Sequence, residues 1–231
     1  HECSSAASDV YKRQLTSLFT NGILVKREVR KEKIFKLINR ESQLANLKPD
    51  LSDYLLNELT DLVESPNLIS GKFDVQFLNL PVEVLSTVMK THQRYIPLLK
   101  KDITYSKLDL NSEKIMSTNF FVISNGVKAS NNIIAKGNEK VLKARFSDAK
   151  FFVDSDKKVS SIERNEKLKS VSYLKGMGNV FQRVKRIEAI SEKIIKFLND
   201  KSLDSEQILN AAKYCKNDLC SEIVYEFPEL Q

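Results

Sequence analysis

The stretch Gly137-Asn138-Glu139-Lys140-Val141-Leu142-Lys143-Ala144-Arg145-Phe146-Ser147-Asp148-Ala149-Lys150-Phe151-Phe152-Val153-Asp154-Ser155-Asp156 organises the chain. Leu142, Phe146, Ala149 and Val153 recur at the spacing of one helical face, so the pattern predicts an amphipathic helix. Asn138 is expected as its N-cap, with Glu139 placing negative charge in the first turn, where the helix dipole favours it. Lys140, Lys143, Ser147 and Lys150 line up on a second face, which separates a basic stripe from the apolar one.

Arg145 breaks that separation. At helical spacing it sits beside Ala149 and Phe152, on the margin of the apolar face, and a half-buried guanidinium needs a partner because it cannot lose its charge. Asp148, three residues on, is in reach. Two roles stay open: a structural Arg145–Asp148 pair, or an arginine held ready for a phosphate or carboxylate.

The chain has 231 residues, enough for one or two domains, with 42% hydrophobic and 29% charged residues. No apolar run reaches membrane-spanning length and no signal-peptide layout is present, so the expectation is a cytoplasmic protein with no membrane partner. Cys215 and Cys220 have a spacing that fits neither a zinc knuckle nor a redox pair, and all three cysteines read as reduced thiols. The net charge of +7 suits a polyanion without specifying one.

Residues 4–14 read like the in-frame translation of a sequencing adapter, so residues 1–14 are taken as an adapter-derived scar. From Leu15 on, a helix is expected over Lys26–Ala45 with Ile34, Leu37, Ile38 and Leu44 as its stripe. A second follows with Leu55, Leu56, Leu59, Leu62 and Val63 inward, stopped at Ser65-Pro66. Asn67–Phe73 reads as a strand, with Gly71 as a candidate bulge. Pro81 opens a helix whose core face is Leu85, Val88, Met89 and His92. Tyr95–Leu99 looks extended, and Pro97 assigns it to a sheet edge. Residues 100–117 read as a solvated loop, and Phe120–Ile123 as a strand buried on both faces. Asn125-Gly126 marks a turn. Gly176 and Gly178 suggest a domain boundary, after which the pattern is helical only. Val180, Val184, Ile187, Ile194 and Leu198 repeat there, followed by a last helix that Asp204 or Ser205 caps and that carries Ile208, Ala212, Cys215, Leu219 and Ile223.

Catalytic constellations are scarce. A Ser-His-Asp triad would have to use His92, which the pattern puts on a core face, and His1 is the only other histidine. The Gly176-x-Gly178 pair lacks the third glycine of a phosphate loop and follows no strand. A metal-dependent phosphohydrolase would need more histidines. Lys90 and Arg94, with Tyr95 beside them, could bind single-stranded nucleic acid or be a solvated helix end.

Several motifs together carry a resemblance. Gly137–Val141, Ala144–Ala149 and Phe151-Phe152 resemble the signature of the beta subunit of bacterial heterotetrameric glycyl-tRNA synthetase. Pro81-Val82-Glu83-Val84-Leu85 with Met89-Lys90-Thr91-His92-Gln93-Arg94-Tyr95-Ile96-Pro97 resembles the family's proline-initiated helix and the motif that closes it, departing at Ile96. Phe120–Asn125, Met177-Gly178, Arg186-Ile187, Lys216–Leu219 and Glu226–Gln231 follow in the family's order, while Gln182-Arg183 stands where the family has Asp-Lys.

The resemblance implies an internal piece of a longer subunit of a glycine–tRNA ligase. Its fold is expected to be α+β over residues 15–170, similar to the editing-type domain of phenylalanyl-tRNA synthetase beta chains. Residues 171–231 are then the first helices of a degenerate His-Asp-type domain. The implied partners are the alpha subunit, tRNA(Gly) and further beta copies in an alpha2-beta2 assembly. ATP and Mg belong to the alpha subunit, with no cofactor, no metal and no catalytic residue in this piece. Lys90, Arg94, Lys140, Lys143 and Lys150 are the candidate tRNA contacts, and Arg145, Asp148 and His92 the structural or anion-binding candidates. The alternative is a non-enzymatic basic α+β RNA-binding module.

Overall fold

A computed structural model describes residues 2–101, 112–126 and 128–231, with side chains from Val10 onward except at 112 and 128. Its contacts divide the chain into two units, His1–Ser147 and Asp148–Gln231. In order, the first holds α1 (Glu2–Thr20), α2 (Arg27–Leu44), β1 (Leu47–Pro49), α3 (Asp53–Leu62), β2 (Pro66–Lys72) and α4 (Val82–Thr87). A π-helical turn, Val88–His92, extends α4, and β3 (Ile96–Lys100), α5 (Ser112–Ile115), β4 (Met116–Asn125) and α6 (Asn131–Asp156) follow. The division falls inside α6, between Ser147 and Asp148.

The four strands form one sheet in the order β1-β3-β4-β2, with every pair antiparallel. Strand alternation gives each face its own cover. Phe121 and Ile123 of β4 and Ile96 and Leu98 of β3 pack with Ile34 and Ile38 of α2 and with Leu55, Leu56 and Leu59 of α3. Phe120 turns the other way, stacks on Tyr95 with ring centroids 5.2 Å apart, and lies over Gly71. On α6, Phe146 meets the rings of Phe73 and Phe77 at 5.1 and 5.4 Å.

The α+β class and the doubly buried β4 match the sequence reading, and several details correct it. Leu44 and Leu62 are exposed, and Ser42 takes the buried place on α2. Pro97 does not mark an edge, because β3 pairs with both β1 and β4. The register on β4 shifts between Pro97 and Leu99, an irregularity that accommodates a residue without an N–H. Gly71 is no bulge, since β2 pairs with β4 without a shift from Pro66 to Lys72. It is small because a Cβ there would lie 2.5 Å from the Phe120 ring. Within the expected loop at 100–117, Ile115 and Met116 are buried, and residues 102–111 lie outside the described residues.

In the second unit, α7 (Ser161–Lys167), α8 (Val180–Leu198), α9 (Ser205–Tyr214) and α10 (Glu222–Glu226) surround a small core of Leu168, Val180 and Val184. Asp204 caps α9 by accepting from the Gln207 N–H. The single last helix expected here is broken into α9, a 3-10 turn at Asn217–Cys220, and α10. Ile194 and Leu198 of the expected core stripe are exposed, as is Cys215. Gln182, one of the departures from the resemblance, completes a capping box with Asn179 at the start of α8.

Candidate nucleic-acid interface

The apolar stripe of α6 is as the spacing requires: Leu142, Phe146 and Ala149 are fully buried and Val153 nearly so. Its start is not. The helix begins at Asn131, so Gly137 and Asn138 lie inside it and Asn138 caps nothing. The Asn138 side chain accepts instead from the Tyr95 hydroxyl at 3.1 Å, and the Glu139 carboxylate accepts from the backbone N–H of Lys72 at 2.9 Å. The residues that looked like a helix start are therefore tethers between α6 and the strands.

These tethers bear on the lysines. Glu139 is the acid at ion-pair spacing from Lys136 and Lys143, and its Oε1 is engaged on β2. Lys136, Lys140 and Lys143 are exposed and have no ion-pair partner among the described residues. Lys150 differs, because it pairs with Asp154 one turn on. Lys136 belongs to the same face and escaped the sequence reading, which began the helix after it.

Arg145 corrects the expectation of a half-buried guanidinium. Arg145 and Asp148 are both exposed, and neither side chain has an ion-pair partner among the described residues. At 100° per residue Arg145 falls on the margin of the buried stripe, on the side opposite the lysines, and its side chain is exposed there.

Lys90 and Arg94 are occupied. Lys90 donates to Asp50 at 2.8 Å, alongside the Ser86 hydroxyl, and Arg94 donates to Glu58 at 2.8 Å and to the Thr91 carbonyl. Arg94 adopts a left-handed backbone, φ 55°, which turns the chain from the π-helical turn into β3. His92 ends that turn and is half-buried, with its Nε2 shielded from solvent. The sequence's donor-rich tail is thus a latch holding the start of β3 to α3 and β1.

No group of three or more His, Cys, Asp or Glu among the described residues is placed to hold a metal ion, and no described helix is long and apolar enough to cross a membrane. The fold and the α6 stripe define an α+β protein of net positive charge. The model of the family described as glycyl-tRNA synthetase beta subunit matches residues 3–231, and the chain belongs to that family. It is 41% identical over 87% of its length to the glycine–tRNA ligase beta subunit of Trichodesmium erythraeum, covering 27% of that protein. To the same subunit of Gloeothece citriformis it is 36% identical over 97% of the chain and 30% of the relative, and to that of Listeria welshimeri 34% over 93% and 30%. The chain therefore spans less than a third of the length of these curated relatives.

Proposed function

We propose that this chain is a region of the beta subunit of a cytoplasmic glycine–tRNA ligase, supporting ATP-dependent attachment of glycine to tRNA(Gly) through tRNA binding and subunit assembly. The family match across residues 3–231 carries the reading. The glycylation chemistry, with its ATP and Mg, belongs to an alpha subunit, and the assembly is alpha2-beta2. The first unit, an α+β fold around a four-stranded antiparallel sheet, is read as similar to the editing-type domain of phenylalanyl-tRNA synthetase beta chains. Lys140 and Lys143 of α6, joined by Lys136, are its candidate phosphate contacts, supported by their exposure and lack of acidic partners.

Charging of tRNA(Gly) by the full-length beta subunit, by the alpha subunit and by both together tests the reading. Glycyl-tRNA is expected only from the combination. Charging by the beta subunit alone overturns it.

A further inference from the structure

Residues 167–187 carry Lys167, Lys169, Lys175, Arg183, Lys185 and Arg186 and not one Asp or Glu. This segment of the second unit holds nearly all of the chain's excess charge, since the remaining residues net to +1 against +7 for the whole. The fold gathers those cations. Leu168 and Val180 are buried in the unit's core, and the chain between them makes a tight turn closed by Tyr173 N–H to Gly178 carbonyl and Val180 N–H to Val171 carbonyl bonds. Gly176 and Gly178, both at φ 80°, let that turn reverse, and Lys175 stands exposed at its tip between exposed Leu174 and Met177.

Two aromatic rings then hold the cations in place. The Arg183 guanidinium lies 4.4 Å from the Tyr173 ring centroid, and Lys169 and Lys185 lie 4.9 and 5.5 Å from that of Phe181. Arg186 reaches the Met177 carbonyl across the turn at 3.4 Å. Lys169 and Lys185 are also paired with Glu166 and Glu188, whereas Lys175, Arg183 and Arg186 have no carboxylate partner among the described residues. A guanidinium held over a ring can still offer N–H groups to an anion and loses little side-chain entropy on binding one. The positive end of the α8 dipole sits at the same place.

We infer that the Tyr173–Arg186 turn and the start of α8 form a phosphate-backbone contact for RNA, one that reads charge and not base sequence. The inference rests on the tRNA-binding reading above and assigns the second unit its own contact. The rings favour RNA backbone over base stacking, because their faces are already covered by the protein's own cations.

The test uses the full-length beta subunit with its alpha partner and a tRNA(Gly) transcript, with affinity measured against salt. Neutralising Lys175, Arg183 and Arg186 to Gln should flatten the slope of log affinity on log salt by about 2 units. The same changes at Lys193, Lys196 and Lys201 of α8 and the following turn should leave it unchanged. Arg183→Lys keeps the charge and should keep the slope. Unchanged melting of each variant shows that the loss is not unfolding. An unaltered slope in the first triple overturns the contact while leaving the tRNA reading intact. Equal flattening by both triples shows bulk charge alone and also overturns it. Loss of alpha-subunit binding with RNA affinity retained assigns the patch to a protein partner and overturns it too. Failure of the wild-type enzyme to bind the transcript at all overturns the contact and the tRNA reading together.

Discussion

The Tyr95 hydroxyl donates to Oδ1 of Asn138 at 3.1 Å, joining the start of β3 to the second turn of α6. The two residues come from the two stretches of sequence with the most distinctive residue patterns, and the fold makes them one contact. Tyr95 is buried, and its ring also stacks on Phe120 at 5.2 Å with an interplanar angle of 17°.

Tyr95→Phe keeps that stack and removes only the hydrogen bond, leaving Oδ1 of the half-buried Asn138 without its donor. The expected cost is about 1–2 kcal/mol in urea unfolding of the protein. The substitution also has a pH signature. Burial raises the phenol's pKa, so the neutral form is favoured in the folded state. The stability this gives is complete below the unfolded-state value of about 10, and is lost as pH rises through the higher folded-state value. Wild type should weaken above about pH 10 by a margin that Tyr95→Phe no longer shows. Identical alkaline profiles for the two proteins would refute this.

Gly71→Ala tests the close approach on β2. No positive φ is involved, so backbone strain plays no part, but the new Cβ would meet the Phe120 ring at 2.5 Å. Phe120 is fully buried between Gly71 and Tyr95 and has little room to yield. A loss of about 1–3 kcal/mol is expected by thermal melting. Adding Phe120→Leu should return part of it, which a simple loss of strand flexibility would not allow.

These two positions show what was readable in the sequence and what was not. Period and breakers placed α2, α3, β2, β4 and the buried stripe of α6, because burial of one face leaves a local mark. The meaning of Gly71, Pro97 and Asn138 was set by strand partners and ring contacts distant in sequence, and single-residue signals misassigned all three. The α8 stripe failed for a related reason. Ile187 to Leu198 has the right spacing for a core face, but spacing cannot say whether anything covers it, and Ile194 and Leu198 are exposed. The candidate site was half legible. The lysine stripe was visible, whereas the acids that occupy Lys90 and Arg94, Asp50 and Glu58, lie some 40 positions upstream.

Asp156 ties the end of α6 to the start of α10 within the second unit. Its two carboxylate oxygens accept from the N–H groups of Glu222 and Ile223, each at 2.9 Å, and so cap α10 from outside the helix. Arg164 lies 3.6 Å away, and the Asp156 side chain is only 12% exposed. Asp156→Ala leaves two N–H groups without an acceptor and takes the carboxylate from beside Arg164, which keeps only its bond to the Asp156 carbonyl, and should cost about 1–3 kcal/mol. Asp156→Asn keeps one acceptor and should recover part of that. Chemical denaturation of both variants, read against wild type, distinguishes capping from mere packing, for which Asn and Ala would differ little.

Arg145 is the last case, and the structure reverses what its place in the sequence suggested. A half-buried Arg145–Asp148 pair would lose several kcal/mol on truncation, because a buried carboxylate would be left alone. Both side chains are instead exposed and without an ion-pair partner among the described residues. Truncation then removes only solvated charge, so Arg145→Ala and Arg145→Lys should each shift stability by less than about 0.5 kcal/mol. Helical spacing also puts Arg145 on the flank opposite Lys136, Lys140 and Lys143, so one RNA helix cannot readily meet both. If the lysine stripe binds tRNA, neutralising Lys140 and Lys143 should flatten the salt dependence by about 0.7–0.9 units per contact, while Arg145→Ala leaves the slope alone. Melting curves and salt titrations on the same three variants check both halves. A loss of 2 kcal/mol or more at Arg145, or a slope change equal to that at the lysines, would show that the side chain is engaged after all.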